Sequence, residues 1–142
     1  MENRPHFLLL PRLADGRLIL LQRDPGPAEA GRWQLPTAPM PEDGDIQRAA
    51  ALLLHSTTDY VPARLQALGV IYAPGALHCF LAEPLKPSPW LPAETGRTMT
   101  SPVHLAELRG LICAGAVRCA KLLGALMLLD AAEQYGKVAA TK

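Results

Sequence analysis

Two turn dipeptides constrain this chain more than any other feature, because each stands between two short apolar runs. Asp15-Gly16 separates Phe7–Leu10 from Leu18–Arg23, and Pro74-Gly75 separates Leu65–Tyr72 from Ala76–Ala82. Asp-Gly and Pro-Gly supply the backbone geometry of tight reversals, so each pair of runs reads as an antiparallel hairpin. Residues 24–32 form a loop by composition, and Trp33–Leu35 has room only for a very short strand.

Helical signals fall between and after the hairpins. Pro36, Pro39 and Pro41 argue against regular structure until about residue 44. Asp45 then suits a helix N-cap, since its carboxylate can accept from the first free amides, and the helix is expected over Ile46–Thr57. Residues 84–100 carry four prolines and read as a long loop with a short strand near Thr98–Thr100. Ser101-Pro102 has the chemistry of a cap and first turn for a helix covering His104–Ile112. Gly115 ends that helix, and Ala116–Tyr135 forms another, followed by a tail over residues 136–142. The last helix is apolar most of the way round, as in helices that are buried or shared with a partner. This order lacks a regular strand–helix–strand alternation and predicts a mixed sheet with helices packed on it.

A chain of 142 residues accommodates one domain, taken here as 1–142. With 49% apolar and 19% charged residues, it is expected to be compact rather than disordered. The net charge of +1, with no charge block, argues against nucleic-acid binding driven by bulk charge. The run Leu122–Leu129 is far shorter than the roughly 18–20 residues of a membrane span, and the start of the chain lacks a signal-peptide pattern. A cytoplasmic protein is expected. Cys79, Cys113 and Cys119 have no ligand spacing and read as three buried thiols; a zinc site with His78 or His104 is the unsupported alternative.

The strand Leu18–Arg23, the segment Gly31-Arg32-Trp33-Gln34-Leu35-Pro36, the proline-rich acidic turn ending at Gly44 and the helix after it resemble the Nudix hydrolase family. The segment from Ser101 to Leu129 is similar to the closing helices of its ADP-ribose and nucleoside-diphosphate-sugar pyrophosphatases. The likeness covers roughly residues 7–135 and implies an α/β/α sandwich, a mixed sheet between helices. It also implies Mg²⁺ or Mn²⁺ if the chain is active, a nucleotide-like ligand and a possible homodimer.

The family's signature runs Gly, five residues, Glu, seven residues, Arg-Glu, an aliphatic, any residue, Glu-Glu, any residue, Gly, an aliphatic. Glutamates one helical turn apart share a face and hold divalent metals against a diphosphate. Laid on this chain without gaps, the signature's Gly and Glu fall on Ala38 and Gly44. Arg-Glu falls on Leu52-Leu53, Glu-Glu on Ser56-Thr57, and the last Gly on Asp59. Only the apolar positions, Leu54 and Tyr60, keep their character, and a shift by one residue brings Asp45 into place but no other ligand. On a helical wheel, Ile46, Ala49, Ala50, Leu53 and Thr57 form one stripe centred on Leu53, with Leu52 off it. That face suits packing and not a dication, so no metal site is expected on it.

Other residues carry two readings each. Glu42, Asp43 and Asp45 are either a solvated turn with an N-cap or a displaced catalytic and metal-binding cluster. Glu94 is either a surface-loop residue or the extra acid that related pyrophosphatases supply from this region. Trp90 either plugs its proline-rich loop onto the domain or stacks on a base. Arg12, Arg23 and Arg32 are either surface arginines or phosphate contacts. His55 is expected to face solvent, His104 to hydrogen-bond locally, and His78 to face solvent or a cleft. Trp33 is expected to anchor the core. No P-loop, dinucleotide-binding glycine motif or nucleophile–base–acid set occurs. The sequence thus predicts a degenerate Nudix-like domain that binds a nucleotide-like ligand or a protein partner. The alternative is a divergent metal-dependent pyrophosphatase using relocated carboxylates.

Overall fold

Phe7, Leu8, Leu9 and Leu10 are each at most 1% exposed, so the first strand must be covered on both faces. The computed structural model describes residues 4–22, 33–72, 75–90, 99–117, 119–136 and 138. In chain order its elements are β1 (His6–Pro11), β2 (Leu18–Gln22), β3 (Trp33–Gln34), β4 (Thr37–Pro39), α1 (Ile46–Thr58), β5 (Tyr60–Pro62), β6 (Leu65–Tyr72), β7 (Ala76–Ala82), β8 (Leu85–Pro87), β9 (Met99–Val103), α2 (Leu105–Cys113) and α3 (Ala120–Gln134). Strand periodicity divides the side chains of β1. Phe7 and Leu9 enter one core with Ala50, Leu54 and Ala82, under α1. Leu8 and Leu10 enter a larger core with Leu18, Leu20, Leu81, Leu108, Leu122 and Leu129, under α2 and α3. The result is the expected α/β/α sandwich around a mixed sheet.

Strand order is β4-β1-β7-β6 in the main sheet, β3-β2-β9 in a second and β5-β8 in a third. β1 runs parallel to β7 and antiparallel to β4. β6 and β7 pair antiparallel as expected, from Tyr72↔Ala76 to Leu65↔Ala82 with a bulge between Ala67 and Gly69, while Pro74 of the expected turn lies outside the described residues. The Asp15-Gly16 reversal also forms, with Leu13 N donating to Arg17 O at 2.8 Å, but its strands part after the single bridge Arg12↔Leu18. The expected hairpin ladder fails because β1 is already paired on both edges. β2 therefore pairs instead with β3 and β9.

Three short strands lay outside the sequence reading. β4 forms in the proline segment, where an outer strand tolerates Pro39 because nothing needs its missing N–H. β5 and β8 pair with each other, Tyr60↔Pro87 to Pro62↔Leu85. The same physics corrects the helix start at Ser101-Pro102. Both residues lie in β9, an edge strand facing Leu20 and Ile19, and the helix begins at Leu105 with His104 as N-cap. Glu107 Oε1 accepts from His104 N at 3.3 Å, so His104 does bond locally. α3 starts at Ala120, not Ala116: Gly115 turns at φ 79° and the following segment places Val117 in the core, 3% exposed, before the helix begins.

α3 lies directly across β6. A Cβ on Gly124 would stand 2.7 Å from Ile71 Cδ1, and one on Gly69 would stand 3.0 Å from Leu128 Cδ2, so the two glycines permit this approach. Cysteine placement differs from expectation. Cys79 is buried, but Cys113 is exposed and Cys119 half-buried. Burial pushes the Cys79 thiol up to about 11 from its ordinary 9.0. The folded protein therefore holds this proton more tightly than the unfolded chain, and stability is expected to fall as pH rises from about 9 to 11. Alkylation at pH 8 is expected to label Cys113 and leave Cys79 unmodified until the protein unfolds, which peptide mass mapping checks.

Candidate functional site

α1 is built as its sequence suggests at the start. Asp45 Oδ1 accepts from Arg48 N at 3.1 Å, and Asp43 Oδ1 accepts from Asp45 N at 2.9 Å. Asp43 and Asp45 thus shape the turn and cap the helix, while Glu42 is exposed beside them. Asp45→Ala is expected to cost about 1 kcal/mol in chemical denaturation, with Asp45→Asn near neutral, because the amide oxygen can still accept from the helix.

The helix buries a different stripe from the one expected. Ala50, Leu54 and Thr58 are innermost, while Leu53 is half-buried at the margin of that core. The wheel missed this because Thr58 counts as polar; its hydroxyl donates to Leu54 O at 2.7 Å and accepts from Tyr60 N at 3.1 Å, so it is buried satisfied. Leu52 is 50% exposed. Ser56 Oγ and Thr57 Oγ1 both donate to Leu53 O, at 2.9 and 2.8 Å. At the helix end, Asp59 takes the left-handed conformation, φ 69°, and its N donates to His55 O. That is the backbone state a glycine adopts most readily at this position.

This helix face does not fit a divalent cation. Mg²⁺ and Mn²⁺ take oxygen ligands, chiefly carboxylates and water. The positions here offer two leucines and two hydroxyls turned back onto the backbone. Asp45 lies 11 residues before Ser56 in sequence, about 16 Å along a helix, so the acidic turn and these positions do not meet. Among the described residues, no three His, Cys, Asp or Glu side chains converge where a metal ion could sit.

His55 is half-buried and partnered rather than solvent-facing. Its Nδ1 lies 2.6 Å from Ser88 Oγ, and the Trp90 ring stands edge-on to its own at 5.2 Å. Ser88 Oγ also accepts from Trp90 N at 3.2 Å. Trp90 is thereby pinned to the C-terminal half of α1, yet 45% exposed. Ala38 lies in β4, Gly44 turns at φ 77°, and His78 shares the α1-side face of β7 with Phe80. Trp33 packs half-buried against the larger core. Arg23, Arg32 and Glu94 lie outside the described residues.

Arg12 is no surface arginine. It is 4% exposed, with Nε donating to Glu83 Oε2 at 2.6 Å and Nη1 to Glu133 Oε2 at 3.1 Å. Hydrogen bonding to Glu83 first, against the cost of burial, raises its already high pKa. Arg12 joins the ends of β1, β7 and α3 and is committed to carboxylates, which removes it from the phosphate candidates.

On the opposite side of β1 from α1 lies a cavity of about 490 Å³. Its lining includes Leu8, Gln34, Leu35, Thr37, Cys119 and Lys121. The volume lies within the range of small-molecule sites. Leu8 and Leu35 give it an apolar wall; Gln34, Thr37 and Lys121 give it polar groups, and the first turn of α3 adds the positive end of a helix. Sequence reading missed Lys121 because it started this helix at Ala116, which places Lys121 a turn further in. Gln34 and Leu35 belong to the Gly31–Pro36 segment that resembles the Nudix family.

Solved structures share this fold, one of them over nearly the whole chain. A crystal structure of an ADP compounds hydrolase superposes with a TM-score of 0.74 at 20% identity, covering 96% of this chain and 77% of that one. The fold is that of the Nudix hydrolases. MutT from the fish pathogen Aliivibrio salmonicida and Vibrio cholerae matches with a TM-score of 0.58 at 13% identity, over 74% of this chain and 82% of that one. A MutT Nudix hydrolase from Burkholderia pseudomallei matches with a TM-score of 0.55 at 19% identity, over 75% and 86%. No protein-family profile and no curated protein matches the sequence. The Nudix fold is therefore present at an identity where side-chain chemistry is not carried with it. Among the described residues, no helix is long and apolar enough to cross a membrane.

Proposed function

We propose that this chain is a Nudix-fold domain that has lost metal-dependent hydrolysis and binds a nucleotide-like ligand. The observation that carries the reading is the face of α1, where Leu52, Leu53, Ser56 and Thr57 stand at the signature's Arg-Glu and Glu-Glu positions and both hydroxyls are turned to Leu53 O. The left-handed Asp59, at the signature's final glycine, supports that alignment. The cavity beside Lys121 is the binding site in this reading. An apolar wall receives a base or sugar face, while Lys121 and the α3 amides receive a phosphate. No metal is required in this reading. The protein acts in the cytoplasm, as a homodimer, and a protein partner takes the ligand's place as the second form of the same non-hydrolytic role.

The test is a panel of nucleoside diphosphate derivatives, ADP-ribose included, incubated with Mg²⁺ or Mn²⁺ and followed for product and for thermal shift. No turnover is expected. A stabilising ligand is expected to act equally with and without chelator, and Lys121→Ala to weaken it about tenfold or more, the loss of one charge-assisted contact. Turnover abolished by chelator and by Asp45→Ala, Glu42→Ala or Glu94→Ala would overturn the proposal in favour of a divergent pyrophosphatase with relocated carboxylates.

A further inference from the structure

The β6–β7 pairing continues one step beyond Leu65↔Ala82, because Glu83 N donates to Arg64 O at 3.2 Å and sets the two residues opposite each other. Residues two apart on a strand share a face, and so do residues opposed across a ladder. Arg64, Gln66, Leu81 and Glu83 therefore stand together at this corner of the main sheet, on the side of the larger core that Leu81 enters. With Leu65 they line a cavity of about 410 Å³, separate from the one beside Lys121. Opposite charges facing each other across two strands attract. Here Arg12 prevents the pair by holding both oxygens of Glu83, Nε on Oε2 at 2.6 Å and Nη2 on Oε1 at 2.5 Å, while the Glu83 side chain keeps 28% exposure. Arg64 is exposed, and its guanidinium has no hydrogen-bond or ion-pair partner among the described residues.

We propose that this cavity binds a free apolar α-amino acid, with its carboxylate on Arg64, its ammonium on Glu83 and its side chain along Leu65 and Leu81. The site is separate from the nucleotide cavity and does not depend on that reading. The planar guanidinium fork matches a carboxylate through two parallel hydrogen bonds. Each Glu83 oxygen has a second lone pair beyond the one that Arg12 occupies, and an ammonium has three donors to offer it. Charge selects the ligand class. A phosphate or diphosphate would satisfy Arg64 but bring like charge against Glu83, and a simple amine would satisfy Glu83 but bring like charge against Arg64. A zwitterion satisfies both and spans the gap between the two side chains. Glu83 is already held by Arg12, so only Arg64 and the ligand are ordered on binding, which lowers its entropic cost.

The experiment is calorimetric titration of the full chain with L-leucine and L-phenylalanine, set against N-acetyl-L-leucine, L-leucinamide and inorganic phosphate. Saturable binding of both amino acids is expected, with a dissociation constant of about 1 mM or tighter. Blocking either charged end should weaken binding about tenfold or more, and so should Arg64→Gln, whereas Lys121→Ala, in the other cavity, should leave it unchanged. The N-acetyl probe reads the Glu83 contact, because substituting Glu83 would also release Arg12. No saturable binding up to roughly 20 mM overturns the proposal, as does binding that Arg64→Gln leaves intact. N-acetyl-L-leucine or phosphate binding as tightly as L-leucine overturns the zwitterion. Binding lost through Lys121→Ala would put the amino acid in the nucleotide cavity and overturn the proposal too. Should Arg64→Gln fail to fold, amide chemical shifts of the unaltered chain decide: L-leucine is expected to perturb residues 64–66 and 81–83, and perturbation confined elsewhere overturns the assignment.

Discussion

Arg12→Met is expected to destabilise the protein by about 3–5 kcal/mol, the largest effect of any single substitution outside the apolar core. Arg12 is 4% exposed, and Glu133, its partner on α3, is 9% exposed. Methionine fills much of the arginine's volume, so the loss is electrostatic: carboxylates stay inside without the cation that compensated them. Melting should fall by on the order of 10–20 °C for a chain of this size. Removing all three charges together, Arg12→Met with Glu83→Leu and Glu133→Leu, should recover much of the loss, since a buried ion cluster replaced by apolar groups is often close to neutral. Calorimetry of the single and triple variants is the check. A triple variant no more stable than the single one would show that packing, not charge, makes Arg12 important.

The second large effect is a gain. Introducing glutamate at Leu53, Ser56 and Thr57 places three carboxylates on neighbouring positions one turn apart on α1. Without metal, Leu53→Glu/Ser56→Glu/Thr57→Glu should be less stable than the parent, because like charges are gathered and Leu53 leaves the margin of the core. With Mn²⁺ it should recover and exceed its metal-free stability by about 2.7 kcal/mol at a concentration near a hundred times the dissociation constant. That corresponds to a melting shift of about 10 °C, while the parent should not respond. An unresponsive variant would show that this face does not project as the alignment requires. A parent stabilised by Mn²⁺ would place the metal on carboxylates elsewhere in the chain, Glu42, Asp43, Asp45 and Glu94 first.

What could be read from the sequence was local. The reversal between β6 and β7, the Asp45 cap and the break at Gly115 depend on neighbours within a few residues, and all three appear where their chemistry puts them. Segments whose conformation depended on sheet position were misread. Ser101-Pro102 has the same composition whether it opens a helix or occupies an edge strand, and only pairing with β2 selects the strand. The candidate site divided the same way. Which residues of α1 meet the signature positions in an ungapped alignment was legible by counting. The cavity beside Lys121 was not, because its walls are far apart in sequence: Leu8 on β1, Gln34 to Thr37 around β3 and β4, and Cys119 to Lys121 at the start of α3.

By itself the sequence determined the mixture of strands and helices, the turn chemistry and the cap of α1, since these follow from residue identity and local periodicity. The tertiary structure alone decided that β1 and β2 part into separate sheets, that Arg12 is enclosed by Glu83 and Glu133, and that β6 ends the main sheet as an edge without charge or proline. Each of these depends on which distant segment takes a hydrogen-bonding edge or fills a buried volume. That competition is settled by burial and backbone pairing across the whole chain, and no window of neighbouring residues contains it.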